Sequence, residues 1–250
     1  MITNIRFKAK TYRFSLLNPI DISISLQNGS KNPNAFHIQN PVFEPFKIGN
    51  FVGSTELGGS VNCYNLHINP HGNGTHTECV GHITNGYTIN QCLQQFTSIA
   101  QIISVEPVVL QNGDLLVTQD LVEPIIINDI EALVIRTLPN TEDKLLRNYS
   151  GKNPCYYTED LCRFLAQKNI LHLVIDLPSV DREEDDGKLL AHKAFWQYPN
   201  NIRKHATITE MAYIDNNIED GLYVLQLMIA PFESDASPSK PILYKLIEEI

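Results

Sequence analysis

No stretch of this sequence stays apolar for the roughly 20 residues that a membrane-spanning helix needs, and Met1 to Lys8 lack the apolar centre of a secretory signal. No membrane partner is expected, and a cytoplasmic location is. Basic residues are also in short supply. Lysine and arginine number 19 against 28 acidic residues, and the formal charge is −9. With no dense cationic patch to neutralise a phosphate backbone, a nucleic-acid partner is excluded. Cysteine is too sparse for a scaffold: five residues, an odd number without a C-x-x-C pair, make neither a disulfide framework nor a thiolate zinc knuckle. Internal repeats, low-complexity tracts and interdomain linkers are missing too.

What remains is an ordinary globular composition, 43% apolar and 19% charged over 250 residues, enough for one core and expected to fold as a single domain over 1–250. Ile20 to Leu26 alternates strictly and predicts a strand with one buried face. Asn, Pro and Gly from Gln27 to Asn50 predict a long irregular excursion of the kind that covers a site. Val61 to Ile68 reads as a strand. Ile102–Val105 and Val108–Leu110 read as strand segments split by Pro107, and Thr118 opens a short helix. Ala132–Arg136 suits a strand covered on both faces. A helix capped by Thr158 and ending near Asn169 leads to a second buried strand, Leu171–Ile175. That order predicts a parallel crossover, with ligands beyond the carboxyl ends of the strands, where Asp176 to Asp181 lie. The run Glu183–Asp186 reads as a solvated loop, and Leu222–Ala230 as an apolar strand.

The chemistry concentrates between Leu66 and His82, which hold four of the eight histidines. Imidazole nitrogen and carboxylate oxygen are the ligands that a borderline cation such as Zn²⁺ prefers. In an extended chain, His76 and Glu78 fall on one side, so both can reach one ion. Gly72, Gly74 and Gly81 let the main chain turn tightly around them.

The chain resembles the cyclase-type metal-dependent hydrolases, a family that includes bacterial kynurenine formamidase and isatin hydrolase. The likeness runs from about Ile20 to Leu243. Gly74-Thr75-His76-Thr77-Glu78-Cys79-Val80-Gly81-His82 echoes the family's His-x-Gly-Thr-His-x-Asp-x-Pro-x-His run. Asp176-Leu177-Pro178-Ser179-Val180-Asp181, followed by His192, echoes its Asp-x-Pro-Ser-x-Asp stretch and downstream histidine. Weaker echoes are Pro19–Ser23 and Asp235–Pro238.

The resemblance implies a compact α/β fold with a mixed β core flanked by helices (swivelling β/β/α, cyclase-like). It also implies a homodimer or homotetramer, a small-molecule substrate, and a Zn²⁺ centre, or Mn²⁺, that hydrolyses an amide, formamide or cyclic amide. By position it makes His76, Glu78, His192 and Glu210 metal ligands and His82 the catalytic histidine. Imidazole, with an ordinary pKa of about 6.5, suits a proton shuttle near neutrality. A binding protein without catalysis and a metal-assisted cyclase or dehydratase are the alternatives on the same fold.

Three departures stand out. The family's first histidine is Gly72 here, its aspartate is Glu78, and its proline is Val80. The nearest imidazole to the first position is His71. In a regular strand a shift of one residue would turn that ring away from the ion, so a bulge at Gly72-Asn73 is expected to return His71 as a fifth ligand. Asn73 or a water is the alternative occupant.

Overall fold

The computed structural model describes residues 1–249. Its centre is a ring of seven strands: β1 (His76–Glu78), β2 (Thr97–Val105), β3 (Ala132–Thr137), β4 (His172–Ile175), β5 (Thr207–Glu210), β6 (Gly221–Ile229) and β7 (Ala236–Lys245). The order is β6-β2-β3-β4-β5-β1-β7, and a β6–β7 pairing closes the ring into a barrel. Strands β2 to β5 run parallel, while β1, β6 and β7 join by antiparallel pairings. This is the expected mixed β core.

Alternation along the strands sorts side chains to two faces. Ala132 and Val134 pair in register with Ala100 and Ile102 and fill the barrel interior together with Val174, Tyr223 and Leu225. Leu133, Ile135, Leu173 and Ile208 point outward into a second core closed by helices. Ala132–Thr137 is therefore buried along its whole length, as the apolar run Ala132–Ile135 requires. Three helices matter for the site: α1 (Pro70–Asn73), α2 (Glu159–Gln167) and α3 (Leu190–Trp196). The Thr158 hydroxyl accepts from the Leu161 amide at the start of α2, and Leu161, Phe164 and Leu165 face the outer core. The β3–α2–β4 crossover is parallel as expected. Thr118 stands at its helix start without a side-chain capping bond.

Two expected strands are shorter than their patterns suggest. The alternating run from Ile20 pairs only at Ile20–Asp21, against Leu243 and Ile242. Beyond it Pro241 has no N–H to continue the ladder, and side chains take over: the Ser23 amide donates to Asp21 and the Ile24 amide to Thr75. Of Val61–Ile68, only Tyr64–His67 is strand, paired with Val42–Pro45 in a ribbon whose faces are largely exposed. The excursion between Gln27 and Asn50 is irregular apart from such short strands. Among the described residues, no helix is long and apolar enough to cross a membrane.

Candidate metal centre

His76 and Glu78 lie two apart on β1, and their partners on β5 are Glu210 and Ile208. Because Ile208 packs in the helix-covered core, this register turns His76, Glu78 and Glu210 to the outer face, under α3. The residue between them, Thr77, points the other way and meets Thr209 at 2.8 Å. Alternation thus sends the ionisable groups to one side and hydroxyls to the other.

Helix α3 supplies His192. The residue just before the helix, Leu189, has a left-handed backbone and offers no side-chain cap, so the cap comes from a distant loop. Asp181 accepts from the amides of Ala191 and His192 at 2.8 and 3.1 Å and from His192 Nδ1 at 2.5 Å. The ring's Nε2 is thereby aimed at Glu78 Oε1, 3.1 Å away, with Glu210 Oε1 at 3.9 Å. Trp196, one turn along, stacks its ring 5.4 Å from the imidazole. Glu210 stands at the edge of the group. Its Oε2 is 3.4 Å from His76 Nε2, and its Oε1 accepts the Val180 amide.

His71 reaches the cluster by a different route from the expected bulge. Pro70 to Asn73 form one helical turn, with Pro70 in the first turn and Asn69 as cap, accepting from the His71 amide. The turn is clamped by the 27–50 excursion. The Ala35 amide donates to the Gly72 carbonyl, and a Cβ at Gly72 would lie 2.5 Å from Ile38 Cδ1 and 2.9 Å from the Ala35 oxygen. Glycine at position 72 is thus a packing requirement of this turn, and it leaves His71 facing inward, with Nδ1 3.3 Å from Glu78 Oε2. Asn73, the alternative occupant, is committed elsewhere, to the Asn69 amide and the Gln39 carbonyl.

His82 follows in a short 3₁₀ turn (Val80–His82) and sits at the rim, 29% exposed at its side chain, with Nδ1 3.7 Å from Glu78 Oε2. Its ring centroid is 4.4 Å from that of His71. The Asp235 carboxylate lies at the same rim, 2.7 Å from His71 Nε2 and 3.4 Å from His82 Nδ1. All six residues singled out in the sequence are therefore neighbours. Among the described residues, three sets have donor atoms close enough for one ion: His71, His76 and Glu78; His71, His82 and Asp235; and Glu78, His82 and His192. Glu210 belongs to none of them. Asp181 and Asp235 were missed as site residues, although each lies in a stretch that carries the resemblance.

At Glu78, His71, His192 and Asp235 burial penalises the charge, and the neighbours outweigh it. Burial alone would push Glu78 up, yet the imidazoles of His82, His192 and His71 hold it well below the usual carboxylate range. Burial alone would lower His71, but Asp235 and Glu78 raise it to about 10. Asp181 and Glu78 likewise hold His192 well above its ordinary value. Hydrogen bonds from His71 and His82 depress Asp235.

Among the described residues, two buried atoms of this cluster have no hydrogen-bond partner: His76 Nε2 and Glu78 Oε2, both in fully buried side chains. His76 Nδ1 lies 3.0 Å from the Gly74 carbonyl, which can only accept, so the proton sits on Nδ1 and Nε2 carries a lone pair. That lone pair faces the Glu210 carboxylate. Two acceptors opposed in a buried site call for a cation between them. The donor set of imidazoles and carboxylates is one that zinc or manganese takes, so the residues fit a divalent metal ion.

Residues 20–182, more than half of the chain, match the model of the Cyclase family. The chain belongs to the Cyclase family. The match includes His71, His76, Glu78, His82 and Asp181, while His192, Glu210 and Asp235 lie beyond it. The kynurenine formamidase of Bacillus mycoides (strain KBAB4) is 26% identical over 193 residues, which cover 76% of this chain and 83% of that protein. An isatin hydrolase solved with the product analogue thioisatinate shares the fold at a TM-score of 0.64 and 15% identity, with 93% of each chain covered. So does a structure described as a potential metal-dependent hydrolase with cyclase activity, at a TM-score of 0.66 and 18% identity, covering 91% of this chain and 97% of that one. The two solved structures show that the fold is shared.

Proposed function

We propose that the chain is a metal-dependent hydrolase that opens a carbon–nitrogen bond in a small amide, formamide or cyclic amide. The observation that carries this reading is the pair of unpartnered buried acceptors, His76 Nε2 and Glu78 Oε2, with a half-buried histidine at the mouth of the same cluster. His71, His76, Glu78, His192 and Glu210 would hold a Zn²⁺ or Mn²⁺ ion. Such an ion, when bound, supplies Lewis-acid polarisation of the carbonyl and makes water acidic enough to act as a nucleophile near neutral pH.

The side chains supply the rest. Asp181 holds the His192 ring in one orientation, so a ligand nitrogen need not be ordered at each turnover. Glutamate in place of the family's aspartate reaches one methylene further, and the turn that carries His71 replaces the histidine lost at Gly72. His82, partly open to solvent, takes a proton from the attacking water and returns it to the leaving nitrogen, the work of a general acid and base. The substrate class comes from the relatives, one named a formamidase and one an isatin hydrolase.

The same reading includes assembly as a homodimer or homotetramer. Its support is the ribbon and hairpin from Val42 to His67, which expose Val42, Ile48, Leu57, Val61 and Leu66. A two-stranded ribbon of this kind is marginal in water unless something covers it. Light scattering on purified protein checks this.

Zinc- or manganese-reconstituted protein assayed against N-formylanilines and five-membered cyclic amides tests the activity. Ring opening or deformylation that chelation abolishes and metal restores is expected. Stoichiometric metal binding without turnover of any amide would overturn the hydrolase in favour of a binding protein.

A further inference from the structure

We propose that Asp235 is a positioning residue that sets the ring tautomers of both His71 and His82, giving the two imidazoles opposite orientations of their lone pairs. A single oxygen, Oδ2, lies 2.7 Å from His71 Nε2 and 3.4 Å from His82 Nδ1. A carboxylate can only accept, so each ring keeps a proton on the nitrogen that faces Asp235, Nε2 of His71 and Nδ1 of His82, and when a cation displaces the second proton that Glu78 favours on His71, Nε2 is where the remaining one stays. In His71 this leaves the Nδ1 lone pair turned inward, 3.3 Å from Glu78 Oε2, where a cation would be held. In His82 it leaves Nε2 as the basic atom, on the side of the ring away from Asp235. One acidic group thus makes one histidine a ligand and its neighbour a proton carrier, although their ring centroids are only 4.4 Å apart.

The carboxylate is fixed for this task from several directions. The Asp235 carbonyl accepts the Cys79 amide at 3.0 Å, next to Glu78, and the Ser234 carbonyl accepts the Ile89 amide at 2.7 Å. Ala236, the following residue, pairs in register with Glu78. The Ser234 hydroxyl donates to Oδ1 at 3.0 Å, which leaves Oδ2 for the two imidazoles. The run from Ser234 to Ala236 is therefore tied to the strand that carries His76 and Glu78. The register that places those two residues also places Asp235 above them. Partners of this kind, one step removed from an ion, fix the tautomer of a ligating histidine, and their loss costs about 10–100-fold in metal affinity or activity.

The inference rests on the hydrolase reading only in giving His82 proton work; the tautomers themselves do not depend on it. The test is nitrogen-15 NMR of histidine-labelled protein in its zinc-loaded form, with rings assigned from His71→Gln and His82→Gln. Wild-type protein should show His82 protonated on Nδ1 and His71 protonated on Nε2. In Asp235→Asn the His82 ring should move to the mixture typical of a free imidazole, zinc affinity should fall about 10–100-fold, and Asp235→Glu should restore part of both. A wild-type His82 protonated on Nε2, or tautomers unchanged in Asp235→Asn, would overturn the proposal. The first result needs no variant, so it stands even if Asp235→Asn folds poorly. Should no amide be hydrolysed while the tautomers shift as described, the hydrolase reading fails and the role of Asp235 survives.

Discussion

Gly72→Ala adds one methyl group to the helical turn that carries His71, and two effects of opposite sign compete. Alanine is the better helix former, by about 1 kcal/mol in a helix interior, and a one-turn helix realises only part of that. Against it, the new Cβ would stand 2.5 Å from Ile38 Cδ1, 2.8 Å from Ile38 Cβ and 2.9 Å from the Ala35 carbonyl oxygen. The Ile38 methyl can rotate away. The Ala35 oxygen belongs to a main chain that also bonds the Gly72 carbonyl, so the turn or the excursion must shift.

Overpacking of this kind costs about 1–3 kcal/mol and outweighs the gain in propensity. For a chain of this size the melting temperature falls by about 2–4 °C per kcal/mol, so a drop of about 2–12 °C is expected by calorimetry. Zinc affinity should fall with it, because displacement of the turn carries His71 away from Glu78. Combining the substitution with Ile38→Ala should return part of the loss, a positive coupling in a double-mutant cycle. An unchanged or higher melting temperature with full zinc affinity would show that the turn is not clamped and that His71 does not depend on glycine at position 72.

His82→Ala should keep its zinc, measured by elemental analysis, while turnover drops about 10²–10⁴-fold; loss of the metal would make His82 a ligand instead. Lys144→Met removes the cation paired with the fully buried Asp176, 2.7 Å away. Urea titration should show a loss of about 3–5 kcal/mol, the usual result of stranding a buried charge, and a loss under 1 kcal/mol would contradict it. Burial lowers His172 from 6.5 to about 4. The folded state therefore resists protonating it, and its contribution is complete above pH 6.5 and lost as pH falls toward 4. At about 1.4 kcal/mol per pKa unit the full difference is about 3 kcal/mol. Unfolding midpoints of His172→Gln should fall less steeply than wild type between pH 6.5 and 4, and parallel curves would refute the assignment.

The barrel was legible wherever burial is two-sided. Ala132–Ile135 and Leu173–Ile175 are apolar runs because both faces are covered, and the helix between them announces itself by its cap and spacing. The strand pattern at Ile20–Leu26 misled because alternation reports which side chains face inward and says nothing of whether a partner backbone is there to bond. Here that partner meets Pro241. The cluster was legible through His76 and Glu78, whose shared side of an extended chain follows from a period of two. His71 was expected on the inner side for a different reason, since a bulge and a helical turn absorb an odd residue equally well and only packing against Ala35 and Ile38 selects the turn. Asp181 and Asp235 escaped because a carboxylate that orients a histidine from a distant loop leaves no spacing in the sequence, only its place in a stretch that carries the resemblance.

The claim that this cluster holds a metal is tested most directly by elemental analysis of zinc-reconstituted, gel-filtered protein beside His76→Ala and Glu78→Gln. Wild-type protein should retain at least one equivalent of zinc per chain, and both variants should lose most of it under the same buffer exchange. Retention in the variants equal to wild type, or no zinc in any of the three, would contradict the account.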